Sequence, residues 1–93
     1  MIFQLFNGSS KKREKLDIVA GILHICNKEA NRTQIMYQAG MSFSQLKEYI
    51  SLAIDRNLLI ETKNNDMVKY STTEKGLELL QRYREIMDIL NGN

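Results

Sequence analysis

From Leu16 onward the apolar residues fall at three- and four-residue steps. Leu16, Val19, Ala20, Leu23 and Cys26 make one stripe, and Ile18, Ile22 and Ile25 widen it. That period predicts a first helix. A helix apolar over so much of its circumference is expected to be covered on more than one side. Gly21 inside it costs about 1 kcal/mol relative to alanine, and is expected to permit a close helix approach. Asn7-Gly8-Ser9-Ser10 ahead of the stripe signals a loop, and Asn27 to Asn31 reads as a connection.

Two shorter helical patterns follow, hinged at Gly40. The first begins near Asn31 or Arg32, where Asn31 and Gln34 form a capping pair. It is expected to bury Ile35, Met36 and Ala39, with the place of Tyr37 left open. The second runs from about Phe43 to Arg56 and starts on its own capping box, Ser42 with Gln45. On a helical wheel Leu46, Ile50, Ala53 and Asn57 fall together, flanked by Phe43, Tyr49 and Ile54. The opposite side carries Ser44, Glu48, Ser51 and Asp55, with Gln45 and Lys47 at its margins. Two helices joined in this way predict a helix-turn-helix, whose second helix can lie in a DNA major groove.

The period then changes. Leu58-Leu59-Ile60-Glu61-Thr62-Lys63 and Met67-Val68-Lys69-Tyr70-Ser71 read as two strands of a hairpin around Asn64-Asn65-Asp66. A last helix starts at Ser71 or Thr72, with Thr73 as a second capping candidate, and runs to about Leu90. Leu80, Tyr83, Met87 and Leu90 are spaced 3-4-3, the rhythm of a coiled-coil seam. Leu77, Leu79 and Ile86 lie beside it, and Leu77 is counted with the seam as a dimer contact.

Helix, helix-turn-helix, hairpin and helix is the order of a winged helix, in which the hairpin is the wing. The fold class expected is therefore mainly α with a small β-hairpin (α+β), a winged helix-turn-helix with a long C-terminal dimerisation helix. The segments T-Q-I-M-Y-Q-A-G-M-S-F-S-Q-L-K-E-Y-I and Y-S-T-T-E-K-G-L-E-L-L resemble those of small archaeal winged-helix regulators and chromatin-associated proteins. The resemblance covers roughly Lys11 to Leu90. It implies DNA binding as a dimer, with the C-terminal helix pairing with its counterpart in an antiparallel coiled coil. On this reading residues 1–10 are an apolar tail, 11–71 the winged domain and 72–93 the dimerisation helix. The tail, with Ile2, Phe3, Leu5 and Phe6, departs from the simplest family pattern. It either covers the dimer or the core, or binds something else.

Composition narrows the chemistry. Ninety-three residues, 43% hydrophobic and 26% charged, make one domain of ordinary globular character. No apolar run approaches the ~20 residues of a membrane span. The opening Met-Ile-Phe-Gln-Leu-Phe lacks the basic flank and length of a signal peptide, so a cytoplasmic protein is expected. Cys26 is the single cysteine, which excludes an internal disulfide and a cysteine-rich zinc site. His24 and Cys26, two apart on a helix, point away from each other and form no nucleophile pair. No phosphate loop, paired-acid pocket or metal spacing is present, so no enzyme, cofactor, metal or small-molecule ligand is expected. The net charge of +2 does not by itself announce a nucleic acid. The densest basic cluster, Lys11-Lys12-Arg13 with Lys15, suits phosphate contact or a solvated helix start equally.

The expected partners are double-stranded DNA and a second copy of the chain. Ser44, Gln45, Lys47, Glu48 and Ser51 occupy the side of the third helix where base edges would lie. Gln pairs with adenine, Lys donates to guanine and Glu accepts from cytosine. Arg32 and Thr33 stand where a helix N-terminus can hold a phosphate. Lys63, Asn64, Asn65 and Lys69 in the wing offer donors to the backbone or minor groove. DNA binding is expected to need Arg32, Lys47, Lys63 and Lys69 on one continuous positive surface. A fragmented surface would favour the rival, a winged-helix module for protein–protein interaction that touches no DNA.

Overall fold

A computed structural model describes residues 9–92, with side chains from Glu14 onward. The expectations for the apolar tail, and for the side chains of Lys11, Lys12 and Arg13, fall outside the described residues. The elements are α1 (Ser9–Ile25), β1 (Ala30–Asn31), α2 (Arg32–Ala39), α3 (Phe43–Asp55), β2 (Leu59–Asn64), β3 (Met67–Thr72) and α4 (Glu74–Leu90). This is the α+β order of a winged helix. Several boundaries differ from the sequence reading, among them the start of the last helix, which is Glu74 rather than Ser71 or Thr72 because Thr72 belongs to β3. Ser9 and Ser10 are helical rather than loop, and the connection before α2 contains a strand. That strand, β1, pairs antiparallel with β3 through Ala30–Tyr70 and Asn31–Lys69, giving a three-stranded sheet of order β1-β3-β2. Two residues are too few to show an alternating pattern, so nothing local marked them.

The core gathers one stripe from each element. Val19, Ile22, Leu23 and Cys26 of α1 meet Ile35 of α2, Leu46, Ile50 and Ala53 of α3, and Leu58, Leu59 and Tyr70 from the sheet side. Within α2 only Ile35 is fully buried. Met36 and Ala39 are partly covered, and Tyr37 is 87% exposed. Asn57, expected on the buried side of the third helix, lies beyond its end and is exposed. It takes φ +62°, a left-handed conformation in which asparagine is enriched. The chain reverses there, and the Leu58 N–H bonds back to the Ala53 carbonyl at 2.7 Å.

Local signals set the helix starts. Asn31 and Gln34 form both arms of a capping box, at 2.8 and 2.9 Å, satisfying two N–H groups that the first turn leaves unpaired. Gly40 (φ +64°) ends α2, its N–H donating to the Met36 carbonyl at 2.9 Å. Thr73, the second of the candidates, caps α4 and accepts from the Gly76 N–H at 3.0 Å. The Thr73 hydroxyl donates to the Asn57 carbonyl, and that of Thr72 to the Leu23 carbonyl, each at 2.7 Å. The start of α4 is thereby pinned to the ends of both α1 and α3.

Close packing occurs at a different glycine from the one expected. A Cβ at Gly21 would meet nothing within 4 Å, so no helix approaches there. A Cβ at Gly76 would run into the Leu58 carbonyl oxygen and lie 2.7 Å from Thr72 Cγ2. Farther along, α4 crosses α1, where the Tyr83 hydroxyl donates to Asp17 Oδ1 at 2.5 Å and Arg84 meets His24 Nδ1 at 2.9 Å. Leu80 is buried inside this one chain, while Ile86, Ile89 and Leu90 are 50%, 77% and 60% exposed. No described helix is long and apolar enough to cross a membrane.

Candidate nucleic-acid interface

The outward side of α3 is open. Ser44, Gln45, Lys47, Glu48 and Ser51 are all exposed, because Leu46, Ile50 and Ala53 turn the other side into the core. The five do not play equal parts. Gln45 closes the capping box, its Oε1 accepting from the Ser42 N–H at 3.5 Å and the Ser42 hydroxyl at 3.4 Å. Bidentate pairing with adenine would require that oxygen to leave the cap. Lys47 lies one turn beyond Phe43 on the same flank. Glu48 lines a groove with Glu14, Lys15, Tyr49 and Leu52, on the flank turned toward α1. Lys47 is the basic group of this helix side, and Ser44 and Ser51 stand between it and Glu48.

The wing divides its charges. In a strand successive side chains point to opposite faces. Lys63, paired with Val68, shares the face of the buried Tyr70, whereas Lys69, paired with Thr62, points to the other face. Lys69 also meets Glu29 at 3.9 Å, which offsets part of its charge. Asn64 pairs with Met67, so the loop is the two residues Asn65 and Asp66, and Asn65 takes φ +58°, as hairpin turns of this length require at that position. Of the four cations that DNA binding is expected to need on one continuous positive surface, the two wing lysines are separated by the hairpin's alternation.

Arg32 sits where sequence spacing could not place it. Its guanidinium carbon lies 5.1 Å from the centre of the Phe43 ring, within cation–π range. One terminal nitrogen donates to the Tyr70 hydroxyl at 3.1 Å. Its Nε is buried and hydrogen-bonds to no protein atom. A buried donor left so costs on the order of 1–3 kcal/mol, which the stacking and the tyrosine bond must offset. Thr33, next along α2, is exposed. Phe43 and Tyr70 were not among the candidate site residues, and the only sequence signals for them are an aromatic at the start of α3 and one on the inward phase of β3.

Burial pushes the Cys26 thiol from 9.0 up to about 11, so the thiolate that would react is scarce at neutral pH. Among the described residues no group of three His, Cys, Asp or Glu side chains could hold a metal ion.

The winged helix-turn-helix family profile matches residues 12–91. An uncharacterised protein of Methanocaldococcus jannaschii is 32% identical over 82 residues, which are 87% of this chain but 37% of that protein. A second from the same organism is 30% identical over 82 residues, 87% of this chain and 80% of its own length. Among solved structures, Sso10a-2, a DNA-binding protein from Sulfolobus solfataricus, superposes with a TM-score of 0.76 at 26% identity, over 83% of this chain and 81% of that one. ZitR of Lactococcus lactis gives 0.67 at 12% identity, over 98% and 73% of the two chains, a likeness of fold alone.

Proposed function

Because the chain belongs to the winged helix-turn-helix family, we propose that it is a non-enzymatic, sequence-preferring double-stranded DNA-binding protein acting as a dimeric transcriptional regulator. The observation that carries the proposal is the open, polar side of α3 beside a projecting hairpin, with the apolar side of the same helix locked into the core. In this reading α3 enters the major groove. Lys47 donates to guanine, Ser44 and Ser51 serve as adaptable partners, and Glu48 and Gln45 hold the flank and the cap. Thr33 meets a phosphate at the start of α2. Lys63, Asn64 and Asn65 reach the backbone or minor groove from the wing, with a weaker contribution from Lys69. The likeness to Sso10a-2, whose name describes a DNA-binding protein, supports the same partner.

Dimerisation supplies what one small domain lacks. Ile86, Ile89 and Leu90 leave an apolar surface on the second half of α4, suited to the same helix of a second copy. Its 17 residues span roughly 26 Å. Two copies would set their α3 helices about 34 Å apart, one turn of DNA, or a multiple of that. Of the predicted seam, Leu77, Tyr83, Met87 and Leu90 keep exposed or partly exposed surface for such pairing, and Leu80 supports α4 from within its own domain.

The fragmented charge of the wing, with Lys69 facing Glu29, favours a second reading, a protein-interaction module. Fluorescence anisotropy with a mixed-sequence duplex at about 50 and 200 mM salt separates the two, because phosphate contact is lost through counterion uptake. Binding that weakens by one or more orders of magnitude at the higher salt is expected. No binding by the folded protein at the lower salt would shift the assignment to a protein partner.

A further inference from the structure

Arg32 is the first residue of α2, Phe43 the first of α3, and Tyr70 lies in the central strand of the sheet. One guanidinium touches the other two residues, stacking on Phe43 and donating to the Tyr70 hydroxyl. It therefore joins the helix-turn-helix to the wing at the end of α3 that would enter a groove. The two residues just before Arg32 are held to the same strand, since Asn31 pairs with Lys69 and Ala30 with Tyr70. With the chain before it paired to β3 and its side chain bonded to Tyr70 of that strand, the residue has little freedom to reach outward. An arginine suits this post because its planar fork can present a face to a ring and an edge to a hydroxyl together. A lysine cannot do both.

We propose that Arg32 is a positioning residue, which fixes the angle between the wing and α3 and contributes to DNA binding through that geometry rather than by contacting phosphate. The inference rests on the DNA-binding reading for its effect on affinity, but its structural half stands apart from that reading.

The test measures both halves. Spin labels at Asp55→Cys, at the exposed end of α3, and Asp66→Cys, at the wing tip, report the distance between them when labelled chains are diluted into unlabelled protein. Cys26 is buried with a raised thiol and needs no replacement. Arg32→Lys and Tyr70→Phe are expected to shift or broaden that distance, with circular dichroism unchanged. In the absence of spin labels, the same two variants are expected to weaken DNA binding by about tenfold. The slope of log affinity against log salt should stay as in the parent. Loss of a phosphate contact would instead reduce that slope by about 1. A parent-like distance and affinity in Arg32→Lys, with a reduced slope in Arg32→Met, would overturn the proposal and assign Arg32 to phosphate. If the parent binds no DNA, the distance alone decides. A change in the variants upholds the positioning role while the functional reading falls, and an unchanged distance overturns it.

Discussion

A Cβ at position 76 would run into the Leu58 carbonyl and crowd Thr72, whereas one at position 21 would meet open space. Overpacking against backbone costs about 1–3 kcal/mol, and Gly76→Ala is expected to destabilise the protein by that much in urea unfolding. Gly21→Ala, in the middle of α1, should stabilise it by about 0.4–1 kcal/mol through a less disordered unfolded chain. Equal effects would contradict the packing described. Sequence alone favoured Gly21 as the close approach, because a glycine inside a helical pattern stands out while one in the first turn of α4 does not. The capping residues show the converse. Asn31 with Gln34, and Ser42 with Gln45, were legible because a cap and its partner lie three residues apart. Arg32 and Tyr70 lie 38 residues apart, and no local pattern joins them.

At the scale of elements, the alternation of β2 and β3 decides which wing residues can act together. Lys63 shares the inward-facing phase with Tyr70, and Lys69 shares the opposite face with Met67. Lys63→Ala is therefore expected to lower the salt slope of DNA binding by about 1. Lys69→Ala should lower it less, since Glu29 already offsets that charge. Anisotropy titrations over a salt series distinguish the two, and a larger effect at Lys69 would reverse the assignment of faces. The hairpin itself was readable from its apolar and β-branched runs and polar tip. The short β1 was not, since its two residues are fixed by β3 rather than by their own sequence. The open side of α3 followed from helical period alone, and the capping role of Gln45, which competes with base contact, followed from its spacing to Ser42.

For the whole molecule, α4 carries the consequence of leaving apolar surface beyond the crossing with α1. Ile89 is the most exposed of that group, at 77%, so changing it disturbs little within one chain. Ile89→Glu is expected to sediment as a monomer with unchanged circular dichroism and weaker DNA binding, whereas the parent sediments as a dimer. Parent sedimentation as a monomer at all concentrations would remove the dimer from the reading. The 3-4-3 spacing pointed to α4, but period alone could not show that Leu80 turns into its own domain while Ile86 and Ile89 face outward. That division depends on where α1 crosses. The most direct measurement of the functional reading is a titration of isotope-labelled protein with a DNA duplex, followed by backbone amide shifts. The proposal predicts changes concentrated at Thr33, Ser44 to Ser51 and Lys63 to Asn65. Absence of changes, or changes confined to the exposed end of α4, would contradict it.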